Sequence, residues 1–330
     1  MTLEHGNVMT AGPDARRHFK RSLLHWYRRN RRDLPWHRDQ DPYRIWLSEV
    51  MLQQTRVAAV TEYYGRFLKK FPSLEKLASA REVSVLALWS GLGYYRRARM
   101  LHQAARVVVR EHAGKFPNTA EQLRHLPGIG RYTAAAIASI AFNQPVAVVD
   151  GNVERVLQRL FGQIIDGEEL WSSAEALLNQ QHPGDHNQAM MELGATVCLP
   201  RQPLCLRCPV SAWCATRGEV QSPGTPSRKT KREIRYALSS RNGSVFLVKR
   251  GKNVSLMPGF WELPEISVAT PRVKPWLTLR HSITVTNYTV DVFRRQPSTN
   301  ADGTWVRSSR LAALPLTGLA RKILNAAGLI

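Results

Sequence analysis

Two carboxylates and four thiols are the groups in this chain placed to do chemistry. Glu49 lies near the centre of residues 45–55, a stretch that is apolar almost all round and so reads as a buried helix. A lone glutamate there is costly unless it is paired or protonated. Burial raises a carboxyl pKa, which suits a general acid; a partner such as Arg56 would instead make the residue structural. Asp150 follows an apolar run and opens a helix, where an aspartate serves as N-cap. Cys198, Cys205, Cys208 and Cys214 are the only cysteines, spaced C-x6-C-x2-C-x5-C within 17 residues. In a cytosolic chain that spacing favours a tetrahedral metal or an iron–sulfur cubane over two disulfides.

The elements that must hold these groups are helices. Asp41-Pro42 is a cap followed by proline at the first helical position, and starts the helix that carries Glu49. A basic helix at 14–32, with Phe19, Leu23, Leu24 and Tyr27 on one side, precedes it. Further helical patterns cover 57–70, 74–80, 82–90, 95–113, 119–126, 131–142, 151–161, 170–180 and 185–197. Between two of them stands Leu126-Pro127-Gly128-Ile129-Gly130. Pro127 stops one helix, and both glycines can take the positive φ of a tight turn. Their backbone N–H groups, at the positive end of the next helix, form a site that fits a phosphate. The plainer reading is an αα-hairpin with an aspartate cap further on. Tyr94 and Tyr95, on a glycine turn beside arginines, either wedge between bases or pack in a core.

The net charge is +22 and the pI about 10.6, which points to a polyanionic partner, most simply nucleic acid. Residues 16–32 hold eight Lys or Arg and no acid, and residues 83–110 five Arg and no acid. No apolar run is long enough to span a membrane and no signal peptide is evident, so a cytoplasmic, nucleoid-associated location is expected. Three hundred and thirty residues allow two domains. We expect a helical domain over 1–214, a basic linker over 215–235 and a small α+β domain over 236–330. In the last, 236–240 and 244–249 read as a hairpin over Arg241-Asn242-Gly243. Strands are expected at 276–279, 283–293 and 304–306, and a final helix at 317–327.

Taken together, the glycine turn at 126–130, Asp150-Gly151-Asn152-Val153 and the cysteine loop resemble the helix–hairpin–helix, Gly/Pro-Asp superfamily of base-excision DNA glycosylases. Leu34-Pro35-Trp36, the run from Trp46 to Thr55 and the extra C-terminal domain resemble its adenine DNA glycosylase (MutY-type) branch. The resemblance implies an all-α glycosylase domain ending in a [4Fe–4S] loop and a Nudix-like α+β domain. It also implies a monomer acting on double-stranded DNA that contains a mispaired adenine. The extruded adenine would be protonated by Glu49, and Asp150 would stabilise the oxocarbenium-like sugar, with Asn152 placing Asp150 or water. Arg32, Leu34, Trp36 and Gln188 match pocket positions, and Gln54 and Tyr94 match residues that enter the base stack. Gly128 and Gly130 would bind phosphate, and the four cysteines would hold the cluster.

Tyr132 stands where lyase-competent relatives carry lysine. A phenol forms no Schiff base, so a monofunctional glycosylase is expected. Residues 245–250 and 257–264 resemble the module that reads 8-oxoguanine opposite the adenine. Where the family usually has Phe-Ser-His, this chain has Ile283-Thr284-Val285. Thr284 keeps a hydroxyl but the histidine is lost, which puts the preference for 8-oxoguanine over guanine in doubt. Rival classes are a thymine or uracil glycosylase of the same superfamily, a non-catalytic DNA-binding relative, and a nucleotide hydrolase acting through the C-terminal domain. The last lacks the Arg-Glu-x-x-Glu-Glu metal box.

Overall fold

The computed structural model describes residues 12–218, 230–251, 253–254, 256–266, 273–283, 286–297 and 302–330. Helices α1 (Pro13–Asn30), α2 (Pro42–Leu52), α3 (Val57–Lys70), α4 (Leu74–Ala78), α5 (Glu82–Trp89) and α6 (Arg96–Glu111) are followed by α7 (Ala120–Leu123), α8 (Arg131–Phe142), α9 (Gly151–Phe161), α10 (Gly167–Leu177) and α11 (Pro183–Thr196). The chain divides into two compact units, one of residues 1–57 with 103–223 and one of residues 58–102 with 224–330. Among the described residues no helix is long and apolar enough to cross a membrane.

The first unit is helical. The amphipathic stripe of α1 buries Phe19, Leu23 and Tyr27 against Val153, Val156 and Leu157 of α9 and Met190 and Leu193 of α11. Each such burial stabilises by about 2 kcal/mol before entropy is charged. Asp41 caps α2 by accepting from the Tyr43 and Arg44 amides, with Pro42 at the first position. Residues 45–51 of α2 are all buried, Glu49 among them. α10 starts three residues before the expected point, with Glu168 and Glu169 in a first turn that favours acids.

The 126–130 turn joins α7 to α8 as expected, but only one of its glycines needs glycine's freedom. Gly128 has φ 76°, whereas Gly130 is the extended N-cap of α8 at φ −88°. Two other glycines set helix separation. A Cβ on Gly194 of α11 would lie 2.6 Å from Asn152 Cβ, and one on Gly184 would lie 2.7 Å from the Ser139 carbonyl oxygen. α11 therefore sits close against both α8 and α9.

The second unit joins α3–α5 to the C-terminal strands β1 (Thr230–Leu238), β2 (Ser240–Arg241), β3 (Ser244–Lys249), β4 (Trp261–Glu262), β5 (Leu277–Ile283), β6 (Thr286–Arg294) and β7 (Thr304–Arg307). Helices α12 (Ser308–Leu311) and α13 (Gly318–Ala326) close the chain. One sheet runs β1-β6-β5 and the other β2-β3-β4, with β7 also on β3. Val290 and Val292 of β6, Val245 and Leu247 of β3, and Ile323 and Leu324 of α13 form its core. Ser90 Oγ donates to the Leu316 carbonyl at 2.5 Å, and Tyr95 packs on Phe260 at 4.3 Å, so the segment after α5 contacts the C-terminal part of this unit.

The hairpin over Asn242-Gly243 forms as expected, both residues with positive φ. The expected strands at 276–279 and 283–293 both form, as an antiparallel pair, with the break between them moved: β5 runs from Leu277 to Ile283 and β6 from Thr286 to Arg294. Their register places Ile283 opposite Thr286. Pairing also begins at Thr230, inside the expected linker. Charged, exposed residues 230–233 carry no strand pattern, and parallel backbone pairing with β6 orders them.

Candidate active site

The site is assembled in the first unit by the middle of α2, the first turns of α8 and α9, and the inner face of α11. These elements surround a cavity of about 650 Å³ lined by Glu49, Tyr132, Asp150, Asn152 and Gln188 among others. Glu49 is only 6% exposed. Its Oε2 accepts from the Tyr132 hydroxyl at 2.6 Å, not from Arg56 as the alternative reading had it. Burial drives its pKa up to about 7; the Tyr132 bond opposes that rise and the charge of Asp150 adds to it. Tyr132, buried beside two carboxylates, is held well above the ordinary phenol pKa.

Asp150 is the N-cap of α9. Its Oδ1 accepts from the Asn152 and Val153 amides at 2.9 and 2.8 Å, and its Oδ2 accepts from the Asn152 side chain at 3.0 Å. Asn152 is fixed in turn by Arg155, whose Nη2 donates to Asn152 Oδ1 at 2.8 Å and to the Gly194 carbonyl at 2.7 Å. Arg155 Nε reaches the Cys198 carbonyl at 2.9 Å. The aspartate is therefore oriented by a chain of hydrogen bonds that ends at the cysteine loop.

Arg32, Leu34, Trp36 and Gln54 also line the cavity, so the expected pocket residues meet there. Tyr27 donates to Gln188 Oε1 at 2.9 Å and sets that amide. Sequence reasoning missed Glu192 and His37. Glu192, 3% exposed, takes Arg32 through its amide, Nε and Nη2 at 3.1, 2.8 and 2.7 Å. The signal was present, since Glu192 stands between Met190, Met191 and Leu193 within a helix, an acid in an apolar run as Glu49 is. His37 follows Trp36 in a 3-10 turn, and burial holds its imidazole below the usual pKa.

The expected phosphate-binding glycines lie at the start of α8, in the same unit but outside the cavity lining. Tyr94 belongs to the second unit. There the two readings of the tyrosine pair divide: Tyr94 is 48% exposed at φ 46°, whereas Tyr95 is core. Thr284 lies outside the described residues.

The four cysteines are half-buried on the loop after α11. Arg159, itself 5% exposed, ties that loop together by donating to Cys198 Sγ at 3.3 Å and to the Leu199 and Pro200 carbonyls at 2.7 and 3.0 Å. Arg201 and Arg207 are exposed on it. Among the described residues no three His, Cys, Asp or Glu side chains converge on a point that would hold a single metal ion.

A family profile described as "HhH-GPD superfamily base excision DNA repair protein" matches residues 47–176, which include Glu49, the glycine turn and Asp150. The adenine DNA glycosylase of Schizosaccharomyces pombe is 31% identical over 318 residues, 75% of this chain and 69% of that protein. This chain belongs to the adenine DNA glycosylase family of the HhH-GPD superfamily. The Rattus norvegicus member is 41% identical over 312 residues, covering 76% of this chain. The chain spans 60% of the rat protein's length and 40% of the human one. Its fold is also similar to the solved structure of a thermostable thymine-DNA glycosylase, at TM-score 0.57 and 31% identity over 61% of this chain and 96% of that one.

Proposed function

We propose that the chain is a monofunctional adenine DNA glycosylase that extrudes adenine mispaired with 8-oxoguanine or guanine from duplex DNA and hydrolyses its N-glycosidic bond. The observation that carries this is the meeting of Glu49 and Asp150 on one cavity, with Tyr132 between α8 and α2. A carboxyl with pKa about 7 keeps its proton in a large share of molecules near neutral pH. With Oε2 taken by Tyr132, that proton sits on the other oxygen, and Glu49 delivers it to the leaving purine. Asp150, fixed by three hydrogen bonds at a helix start, stabilises the cationic sugar and Asn152 holds it in place. Arg32, Leu34, Trp36 and Gln188 shape the pocket. Gly128 and Gly130 offer amides to a phosphate, and Gln54 and Tyr94 enter the base stack. Tyr132 supplies no amine, so the sugar is not attacked as a Schiff base.

The loop suits a [4Fe–4S] cluster held by Cys198, Cys205, Cys208 and Cys214. A single zinc draws its sulfurs around one centre at about 2.3 Å, whereas a cubane takes one thiolate on each iron and spreads them. When bound, the cluster clips the loop that carries Arg201 and Arg207. The C-terminal strands, which begin at Thr230, belong to a Nudix-like module that inspects the base opposite adenine, Thr284 among its residues. The protein acts as a monomer in the cytoplasm, at the nucleoid.

The test is a panel of A:8-oxoG, A:G, T:G and U:G duplexes followed by alkali. Adenine release from the first two supports the reading. Release of thymine or uracil would favour the thymine-DNA glycosylase likeness instead, and tight binding without abasic product would make it a non-catalytic relative.

A further inference from the structure

Of the eight cations in residues 16–32, Arg32 alone lines the Glu49–Asp150 cavity. Helical spacing gathers Arg17, Lys20, Arg21 and Arg28 onto one stripe of α1. Opposite them runs the α10–α11 connection, and between the two lies a groove of about 490 Å³ that shares no residue with the base cavity. Leu24 forms its floor, His25 and His182 add to its walls, and no carboxylate lines it. A recess of about 390 Å³ sharing Arg17 and Lys20 continues past Arg16.

These cations are poorly compensated. Asp14 reaches Arg17 only at 3.7 Å, with side chains 79% and 84% exposed, and Asp185 takes Arg28 at 3.2 Å. Arg21 has no ion pair among the described residues. Lys20 Nζ donates to the Leu178 carbonyl at 2.7 Å, fixing one positive charge in the wall. Arg16 Nε is buried with no hydrogen-bond partner among the described residues. Crowded like charges with so few counterions raise the energy of the free protein, and an anion relieves it.

The shape of the stripe selects the anion. Arg17 to Arg28 spans about 16 Å of helix, too long for one phosphate. Guanidinium forks match phosphate oxygens. The groove has no Trp, Tyr or Phe on which an unpaired base could stack. We propose that this groove is a second phosphodiester-binding site, which grips the backbone of duplex DNA away from the base cavity without reading sequence.

The test uses undamaged, fully paired DNA, so it stands apart from the proposed excision. Binding of the full chain and of Arg17→Gln/Arg21→Gln is measured by anisotropy across a salt series on duplexes of about 12 and about 40 base pairs. Loss of two phosphate contacts lowers the log–log salt slope by about two. Arg17→Lys/Arg21→Lys, which keeps the charge, retains the slope. A loss confined to the long duplex at one DNA per protein means that the same duplex runs on into the groove. Loss of a second binding event with short duplex in excess means that a separate duplex occupies it. Circular dichroism checks the fold, and if the double variant fails to fold, Arg21→Gln alone is expected to lower the slope by about one. Unchanged slopes on both duplexes overturn the proposal. So does loss of polyglutamate binding with DNA binding intact, which would make the groove a receptor for acidic protein.

Discussion

The Tyr132 hydroxyl donates to Glu49 Oε2 at 2.6 Å, tying the first turn of α8 to the middle of α2 across 83 residues of sequence. This bond and the burial around it act on Glu49 in opposite directions, and burial prevails. The result is a carboxyl poised near neutrality, where an acid catalyst is most useful.

Glu49→Gln should abolish adenine release while leaving mismatch binding, as measured by single-turnover assay and gel shift. It should also change the stability profile. The folded pKa of about 7 lies above the ordinary carboxyl value of 4.5, so the native state binds the proton more tightly. That contribution is complete below about pH 4.5 and is lost as pH rises through about 7. Urea unfolding of the parent should therefore weaken across this window, by up to about 3 kcal/mol, and the variant should stay flat.

Tyr132→Phe deletes the bond that lowers the Glu49 pKa. The alkaline limb of kcat/KM should move to higher pH, with a smaller loss of rate than Glu49→Gln causes. An unmoved limb would mean that the titrating acid is another group.

Arg32→Met leaves Glu192 buried with the residue-32 backbone amide but without the two guanidinium bonds and the charge that Arg32 supplies. The expected cost is about 2–3 kcal/mol of stability, read from chemical denaturation. Adding Glu192→Leu should recover much of it, because replacing both partners removes the stranded charge.

Gly194→Ala would bring a methyl to 2.6 Å from Asn152 Cβ and 2.9 Å from its carbonyl oxygen. The helices must move apart by roughly 1 Å to reach ordinary van der Waals contact, at about 1–3 kcal/mol. Because Asn152 holds Asp150 Oδ2, excision should fall more than DNA binding does.

The purified protein should contain iron and acid-labile sulfide in equal amounts, and Cys208→Ser should lower both. Zinc without sulfide in elemental analysis would sink the cluster assignment.

The readable part of this protein was local. The Asp41-Pro42 start, the Asn242-Gly243 turn and the burial of Glu49 follow from one or two turns of backbone and from side-chain periodicity, which the chain carries within itself. The cysteine spacing is equally local. Gly130, read as able to take positive φ, is extended instead, yet it stands at the expected helix start.

What tertiary structure decided was partnership. Nothing near Glu49 in sequence names Tyr132 rather than Arg56, and nothing near Arg32 names Glu192, 160 residues away. Only packing could assign Tyr95 to the core and leave Tyr94 exposed, or order the charged residues 230–233 by pairing them with β6. A side chain's type and its neighbours in sequence set whether it must be satisfied when buried. Which distant group satisfies it depends on how the helices close around the cavity.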